Sequence, residues 1–303
     1  MNQFSKQDLI SMKPRFDAFV GVDSDGCVFD TMEAKQCGHF HPLIVQRWGL
    51  QAVERSLRDV AEFVNLRSKY RGRNRFPALL TTFELLAEQH DVVASGVALP
   101  LLDDLRAYCE SGLPLDNVTL EQEATRTASP LLAEVLAWSL DVNRDIERNL
   151  APIAPFPSAL EALKKINESA DVVVVSQTPE EALVREWKHH EMAHLARVIG
   201  GQELGSKAEQ IKLATVGKYD KHRVLLIGDA PGDLEGAREA GVCFYPIVPG
   251  AEEKSWQCLA DEVYDVFLAG RYRGFFEQAF IDRFLVALPD RMPKINHETQ
   301  ETS

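Results

Sequence analysis

The sequence has no apolar run near the ~20 residues that a membrane-spanning helix requires. Its opening stretch, MNQFSKQDLISMKPRF, lacks the apolar centre of a signal peptide. Cysteine is scarce, odd in number and without a C-x-x-C pair; the five are Cys27, Cys37, Cys109, Cys243 and Cys258. Such thiols are typical of a reduced cytosolic protein and argue against a disulfide framework or a structural zinc site. We therefore predict a cytoplasmic protein that does not enter a membrane.

An excess of positive charge is also missing, since the net charge is −13 over 303 residues. A general nucleic-acid binder needs a basic face, so this charge argues against that class. Hydrophobic residues make up 45% and charged residues 26%, which is the balance of a globular protein. The length allows one large domain or two of ordinary size. Nothing in the composition indicates an oligomeric state.

What the chain does contain is a set of short apolar runs, one near its beginning and four after residue 151. The runs are residues 17–23, Val172–Val175, Arg197–Ile199, Val224–Ile227 and Val242–Tyr245. Because helical patterns separate them, they predict an α/β fold with a doubly wound parallel sheet. Strands as uniformly apolar as the four valines suit a sheet that is covered on both faces.

A long segment between these parts has apolar residues at helical spacing, such as Leu79, Phe83 and Leu86, and no strand pattern. The proline-rich stretch Ala151–Pro157 marks its end. We therefore predict a core domain formed by residues 1–30 and 151–290, an inserted all-helical domain of residues 31–150, and a polar tail of residues 291–303.

Chemically reactive side chains lie at the ends of the predicted strands. The stretches are Asp23-Ser24-Asp25-Gly26, Ser176-Gln177, Lys207 at the start of a helix, and Gly228-Asp229 with Asp233. In open α/β sheets the carboxyl ends of the strands line the ligand crevice. Two carboxylates two residues apart disfavour double ionisation unless a cation or a shared proton relieves the repulsion. The pattern predicts a site where one carboxylate attacks and the other handles a proton or a metal.

In this order, around a helical insert, the motifs resemble those of the haloacid dehalogenase-like (HAD) superfamily of phosphotransferases. The matching positions are Asp23-x-Asp25-Gly26 with Asp30, then Ser176, then Lys207, then Gly228-Asp229-x-x-x-Asp233. The resemblance covers about 17–30 and 152–250, and it implies a Rossmann-like core with the insert as a helical cap of the C1 type. Cys27 departs from the threonine that is common after the glycine, and Gln177 departs from the more usual asparagine or glycine.

The resemblance also implies a role for each group. Asp23 is the nucleophile that forms an aspartyl-phosphate. Asp25 protonates the leaving oxygen and then deprotonates the attacking water, a role that requires a pKa held up by its neighbours. Mg²⁺ is the implied cofactor, held by Asp23, Asp229, Asp233 and the backbone carbonyl of Asp25. The Ser176 hydroxyl, the Gln177 N–H and the catalytic Lys207 are implied to bind the phosphoryl group.

Ordinary structural roles stay open for some of these residues. Asp30 and Ser176 also suit helix caps, and Asp233 suits the first turn of a helix, where it could still hold a metal. Lys207 taken alone also suits a solvated surface. The set taken jointly favours the functional interpretation.

The insert holds a run of five cations in nine residues, from Arg67 to Arg75. Since caps of this kind select substrate, we predict that Arg71 and Arg73 meet an anionic part of it, because arginine matches carboxylate and phosphate bidentately. A solvated loop between helices is the alternative interpretation. His39 and His41 could face the site, but packed or surface histidines are the more ordinary interpretation.

The presence of an acidic residue at position 25 helps to distinguish between the possible reactions. In the family pattern, dehalogenases and phosphonatases lack an acid there because no alkoxide leaving group needs its proton. We therefore predict a Mg²⁺-dependent phosphatase acting on a small phosphorylated metabolite. A phosphomutase of the same fold and a non-catalytic ligand-binding module remain the alternatives, and the sequence does not identify the substrate.

Overall fold

The computed structural model describes residues 3–292, and its core is one sheet of five parallel strands in the order β3-β2-β1-β4-β5. The strands are β1 (Phe19–Val22), β2 (Asp171–Val175), β3 (Val198–Gly200), β4 (Val224–Gly228) and β5 (Cys243–Pro246). All strand residues are buried, as expected for a sheet covered on both faces. The predicted doubly wound parallel sheet is confirmed.

Residues 3–292 contain sixteen α-helices. They are α1 (Lys6–Ser11), α2 (Thr31–Lys35), α3 (His41–Trp48), α4 (Glu54–Leu66), α5 (Arg75–Ala87), α6 (His90–Ser95), α7 (Asp103–Glu110), α8 (Asn117–Thr127), α9 (Pro130–Asn149), α10 (Pro157–Asn167), α11 (Glu180–His189), α12 (Lys207–Thr215), α13 (Pro231–Ala240), α14 (Glu252–Cys258), α15 (Tyr264–Leu268) and α16 (Phe275–Ala287). Two π-helical turns, Gln36–Phe40 and Leu259–Val263, join α2 to α3 and α14 to α15. Short 3₁₀ helices lie at Gln51–Val53, Ala193–Leu195, Gln202–Leu204 and Lys221–Arg223.

Strand β1 lies at the centre of the sheet, between β2 and β4. Val22 is in register with Val174 of β2 on one side and with Ile227 of β4 on the other. The chain runs outward from β1 to β2 and β3, then crosses back to place β4 and β5 on the other side. The carboxyl ends of β2, β1 and β4 are therefore neighbours, and the point where the strand order reverses is where open α/β sheets bind ligands.

Both faces of the sheet are covered. Trp187 of α11 and Trp256 of α14 are fully buried on one face, and Ile211 of α12 and Phe284 of α16 are buried on the other. Residues 31–150 contain no strand and have a hydrophobic cluster of their own, which includes Trp138. The predicted helical character of this insert is thus observed.

Two negative findings apply to residues 3–292. No helix there is both long and apolar enough to cross a membrane. All five cysteines are free thiols. Of the predicted polar tail, residues 293–303 lie outside the described residues.

Candidate active site

The loop after β1 turns sharply and is held from several sides. The Asp23 N–H extends the ladder to β4 by donating to the Ile227 carbonyl at 3.0 Å. Gly26 has φ +78°, and a Cβ there would lie 2.6 Å from Asp229 Oδ2. Only glycine tolerates both the left-handed backbone and that approach. The indole N–H of Trp187 donates to the Ser24 hydroxyl at 3.0 Å, which ties the loop to α11.

Three buried carboxylates meet beside this loop. One oxygen each of Asp23, Asp229 and Asp233 lies within 4.8 Å of the others. The Lys207 ammonium stands 2.8 Å from Asp23 Oδ2 and also contacts Asp233. The structure therefore brings together four of the predicted site residues.

The ionisation of this cluster follows from its burial. Burial raises the pKa of Asp23 to about 8, against the Lys207 ammonium and with help from the charges of Asp233 and Asp229. Burial likewise raises the pKa of Asp229 to about 6, although the Arg71 guanidinium opposes it. Burial acts to lower the pKa of Lys207, but the carboxylates of Asp23 and Asp233 outweigh burial and raise that pKa. The ammonium therefore stays charged.

The cluster fits a hard divalent cation. Its donors are all carboxylate oxygens, the ligands that Mg²⁺ prefers. Asp229 Oδ1 is buried and has no hydrogen-bond partner among residues 3–292. A buried carboxylate oxygen without a partner is costly, and a cation would satisfy it.

Asp25 faces a different environment from Asp23. Both its oxygens lie 2.8 Å from the Lys35 ammonium, and it accepts from the hydroxyls of Thr178, at 2.6 Å, and Thr31. The expectation that neighbours hold up the pKa of Asp25 is wrong. Burial acts to raise that pKa, but the Lys35 ammonium and the two hydroxyls outweigh it and keep the pKa below its ordinary value. Asp25 is therefore ionised here.

The phosphate-binding candidates lie at the end of β2. Ser176 is buried, and its hydroxyl oxygen accepts from the Thr178 N–H at 3.2 Å. The Gln177 side-chain amide donates to the Gly205 carbonyl at 3.0 Å, which ties this loop to the start of α12. The Ser176 hydroxyl proton and the Gln177 N–H are the donors predicted to hold phosphate.

Helix starts fix the positions of Lys207 and Asp233. Ser206 caps α12 by accepting from the Glu209 N–H, while Glu209 accepts from the Ser206 N–H at 2.7 Å. Asp233 lies in the first turn of α13 and accepts from the N–H groups of Asp229 and Ala230, at 3.1 and 2.9 Å. Its other oxygen faces Lys207. The first-turn and site interpretations of Asp233 are thus compatible.

The two arginines predicted to meet substrate have unlike surroundings. Arg71 is 5% exposed, and its guanidinium pairs with Asp229. Arg73 is exposed, and its guanidinium carbon lies 4.5 Å from the ring centroid of Tyr70.

His39 and His41 are both buried. His39 Nδ1 is 2.6 Å from an Asp145 oxygen. His41 is fully buried, with neither ring nitrogen partnered within residues 3–292, and burial lowers its pKa to about 4. Both therefore fit the packed interpretation.

Sequence reasoning missed three residues that surround Asp25: Thr31, Lys35 and Thr178. Thr31 and Lys35 are four residues apart on α2, so they share a helix face, and this spacing was the available signal. Thr178 follows the predicted Ser176 pair directly. Glu186 of α11 is a fourth, since burial and the Asp25 charge raise its pKa to about 7.

Residues 114–247 match the family model of haloacid dehalogenase-like hydrolases. The match spans Ser176, Lys207, Asp229 and Asp233 and begins after the Asp23 loop. The search of curated proteins returns no match.

Several solved structures resemble this one at low sequence identity. A haloacid dehalogenase-like family hydrolase from Streptococcus pneumoniae is 17% identical over 83% of this chain and 97% of its own, with a TM-score of 0.42. A predicted phosphoglycolate phosphatase from Haemophilus somnus is 15% identical over 79% and 91%, with a TM-score of 0.41. A provisionally named beta-phosphoglucomutase from Bacteroides vulgatus is 14% identical over 86% and 93%, with a TM-score of 0.44. Likenesses at this level assign no substrate.

Proposed function

We propose that this chain is a Mg²⁺-dependent phosphatase of the haloacid dehalogenase-like type, and the match of residues 114–247 to that family's model supports the proposal. The protein hydrolyses a small phosphomonoester through an aspartyl-phosphate on Asp23. One observation carries this proposal: Asp23 lies among two carboxylates and an ammonium, whereas Asp25, two residues on, is held by a separate set of donors. Two carboxylates in unlike environments can take two chemical roles.

In the first half-reaction the Asp23 carboxylate forms a bond to phosphorus while the ester P–O bond breaks. Asp25 delivers a proton to the departing alkoxide. Lys207, which already touches Asp23, offsets negative charge on the phosphoryl oxygens, and Ser176 and Gln177 donate to them. In the second half-reaction Asp25 takes a proton from water as the water attacks the aspartyl-phosphate. Inorganic phosphate leaves and the Asp23 carboxylate is restored.

Asp23, Asp229, Asp233 and the Asp25 backbone carbonyl would hold Mg²⁺. When bound, the ion supplies the positive charge that carboxylates and phosphate need in order to approach one another. Burial and the neighbouring carboxylates raise the pKa values of Asp23 and Asp229, and added positive charge would favour their ionised forms.

Asp25 as it stands here is ionised, which is the form that accepts a proton from water. Proton delivery in the first step needs the protonated form, so the Lys35 contact has to loosen when substrate binds. The substrate phosphate is an anion that can draw the Lys35 ammonium away.

The helical insert is proposed to act as a cap. It contributes Lys35 and Arg71 to the surroundings of Asp25 and Asp229, so the site is completed by residues from both parts of the chain. A cap in this position excludes water and selects substrate. The exposed Arg73 remains a candidate for substrate selection. A cytoplasmic location stays a prediction.

The test is an assay of phosphate release from an aryl phosphate with Mg²⁺. Wild type is expected to turn over, Asp23→Asn to be inactive, and Asp25→Asn to lose about 10²–10⁴-fold in kcat. Asp17→Asn, an exposed position just before β1, is the matched control and keeps wild-type turnover. Full activity of Asp23→Asn would exclude this mechanism. Interconversion of sugar phosphates without phosphate release would indicate a mutase, and ligand-induced stabilisation without turnover a binding module.

A further inference from the structure

We propose that Arg71 is a positioning residue for the metal site, which holds Asp229 so that its second oxygen faces the carboxylate cluster. Since Arg71 belongs to the insert, docking of the insert and binding of the metal are then coupled. This inference rests on the metal site of the proposed function.

The geometry of the pair distinguishes the two oxygens of Asp229. Arg71 Nε and Nη2 both approach Oδ2, at 2.7 and 2.6 Å. Oδ1 is buried and has no partner among residues 3–292. One oxygen is thus held from outside the cluster, and the other is free for a cation. This is the arrangement by which a residue behind a metal ligand sets its orientation.

Each guanidinium nitrogen of Arg71 already has a protein partner. Its Nη1 donates to the Leu66 carbonyl at 2.9 Å, and the other two nitrogens are on Asp229. The side chain is also 5% exposed. These contacts favour a role behind Asp229 over the substrate contact that the sequence suggests for Arg71.

The backbone around Arg71 is pressed against the loop after β4. The turn of residues 67–74, which joins α4 to α5, contains Gly72 at φ +74°, and a Cβ there would lie 2.6 Å from the Ala230 Cβ. Within the turn the Arg71 N–H donates to the Ser68 carbonyl at 2.9 Å. The turn that carries the Arg71 guanidinium is therefore held by an internal hydrogen bond and packs directly against the loop after β4.

An opposite role is conceivable for a cation beside a metal ligand: Arg71 could occupy the place of the metal and compete with it. The two roles predict opposite changes in Mg²⁺ affinity when Arg71 is replaced. Removing a competitor tightens metal binding, whereas removing a positioning residue weakens it. The unpartnered Oδ1 favours positioning, since Asp229 keeps an oxygen for a metal that Arg71 does not hold.

The experiment is calorimetric titration of Mg²⁺ alone into wild type, Arg71→Met and Arg67→Met. Arg67→Met removes an exposed cation from the same turn and is the matched control. We expect Arg71→Met to bind Mg²⁺ about 10–100-fold more weakly, and the control to match wild type. Equal or tighter binding by Arg71→Met overturns the inference and leaves the proposed function standing. Absence of Mg²⁺ binding by wild type contradicts the metal site itself.

A second measurement needs no variant. Because coupling is reciprocal, Mg²⁺ should slow hydrogen exchange of the Arg71 and Arg73 amides, which donate to Ser68 and Tyr70 within the turn. Unchanged or faster exchange in this turn, with Mg²⁺ bound, overturns the coupling. This result decides the matter even if Arg71→Met does not fold.

Discussion

The Lys35 ammonium lies 2.8 Å from each carboxylate oxygen of Asp25 and so joins the first helix of the insert to the proposed acid and base. Lys35 is the last residue of α2, and a π-helical turn follows it directly. Such turns often occur at functional sites. The ionisation of Asp25 therefore depends on the position of the insert relative to the core.

Replacing Lys35 with methionine should shift the pH dependence of catalysis. The ammonium holds the pKa of Asp25 low against burial, so its loss raises that pKa. The limb of the kcat/KM profile that follows Asp25 then moves to higher pH. The measurement is the profile of Lys35→Met against wild type, with the exposed Lys164→Met as control. Superimposable profiles would show that Lys35 does not govern this group.

Mg²⁺ affinity should rise with pH. The ion binds ionised carboxylates, and burial raises the pKa of Asp23 to about 8 and that of Asp229 to about 6. Protonated carboxyls must therefore release protons when the ion binds, and affinity increases from pH 6 to pH 8. Calorimetry in two buffers with different heats of ionisation measures the protons released. A pH-independent affinity without proton release would contradict these ionisation states.

Gly72→Ala should weaken Mg²⁺ binding as well as stability. Its φ of +74° costs a side chain about 1–2 kcal/mol, and its Cβ would also press on Ala230. Gly96→Ala is the matched control, since φ is +67° and nothing lies within 4 Å of the added Cβ. Denaturant unfolding and Mg²⁺ titration of both variants separate strain from contact. Equal Mg²⁺ affinity in the two variants would argue against docking of the 67–74 turn as a requirement.

Asp171→Asn should destabilise the fold by about 1–3 kcal/mol, because the groups that donate to Asp171 lose a buried, charged acceptor. Asp171 is fully buried at the start of β2 and accepts from the Arg15 N–H at 2.8 Å, the Tyr219 hydroxyl at 2.9 Å and the Arg197 guanidinium. Urea unfolding at pH 7 measures the loss, with the exposed Asp265→Asn expected to lie within experimental error of wild type.

The same residue predicts the sign of a pH effect. Burial acts to raise the pKa of Asp171, but its hydrogen bonds to Arg15, Arg197 and Tyr219 outweigh burial and lower it. Because the pKa of Asp171 is lower in the folded state than in the unfolded state, its ionisation stabilises the fold at pH values above the unfolded pKa of about 4. This stabilisation is lost as the pH falls through the native pKa. The stability gap between wild type and Asp171→Asn should therefore shrink in acid. A gap that widens there would contradict the assignment.

The sequence predicted the sheet because its strands are short, apolar and separated by helices, a pattern that depends on local residues alone. It also placed Asp23, Ser176 and Asp229 correctly at neighbouring strand ends, since parallel topology brings those ends together. The contacts of Lys35 and Arg71 depend on how the insert packs on the core. That packing is decided by long-range approach, such as Gly72 against Ala230, which no local pattern encodes. The ionised state of Asp25 also depends on this packing, because Lys35 belongs to the insert.

The central claim is that Asp23 becomes phosphorylated. The most direct measurement stops the reaction with acid during turnover of an aryl phosphate, reduces any acyl phosphate with borohydride, and sequences the peptides by mass spectrometry. Homoserine is expected at position 23 in wild type and is expected to be absent in Asp23→Asn. Turnover without modification at position 23, or modification at Asp25 instead, would contradict it.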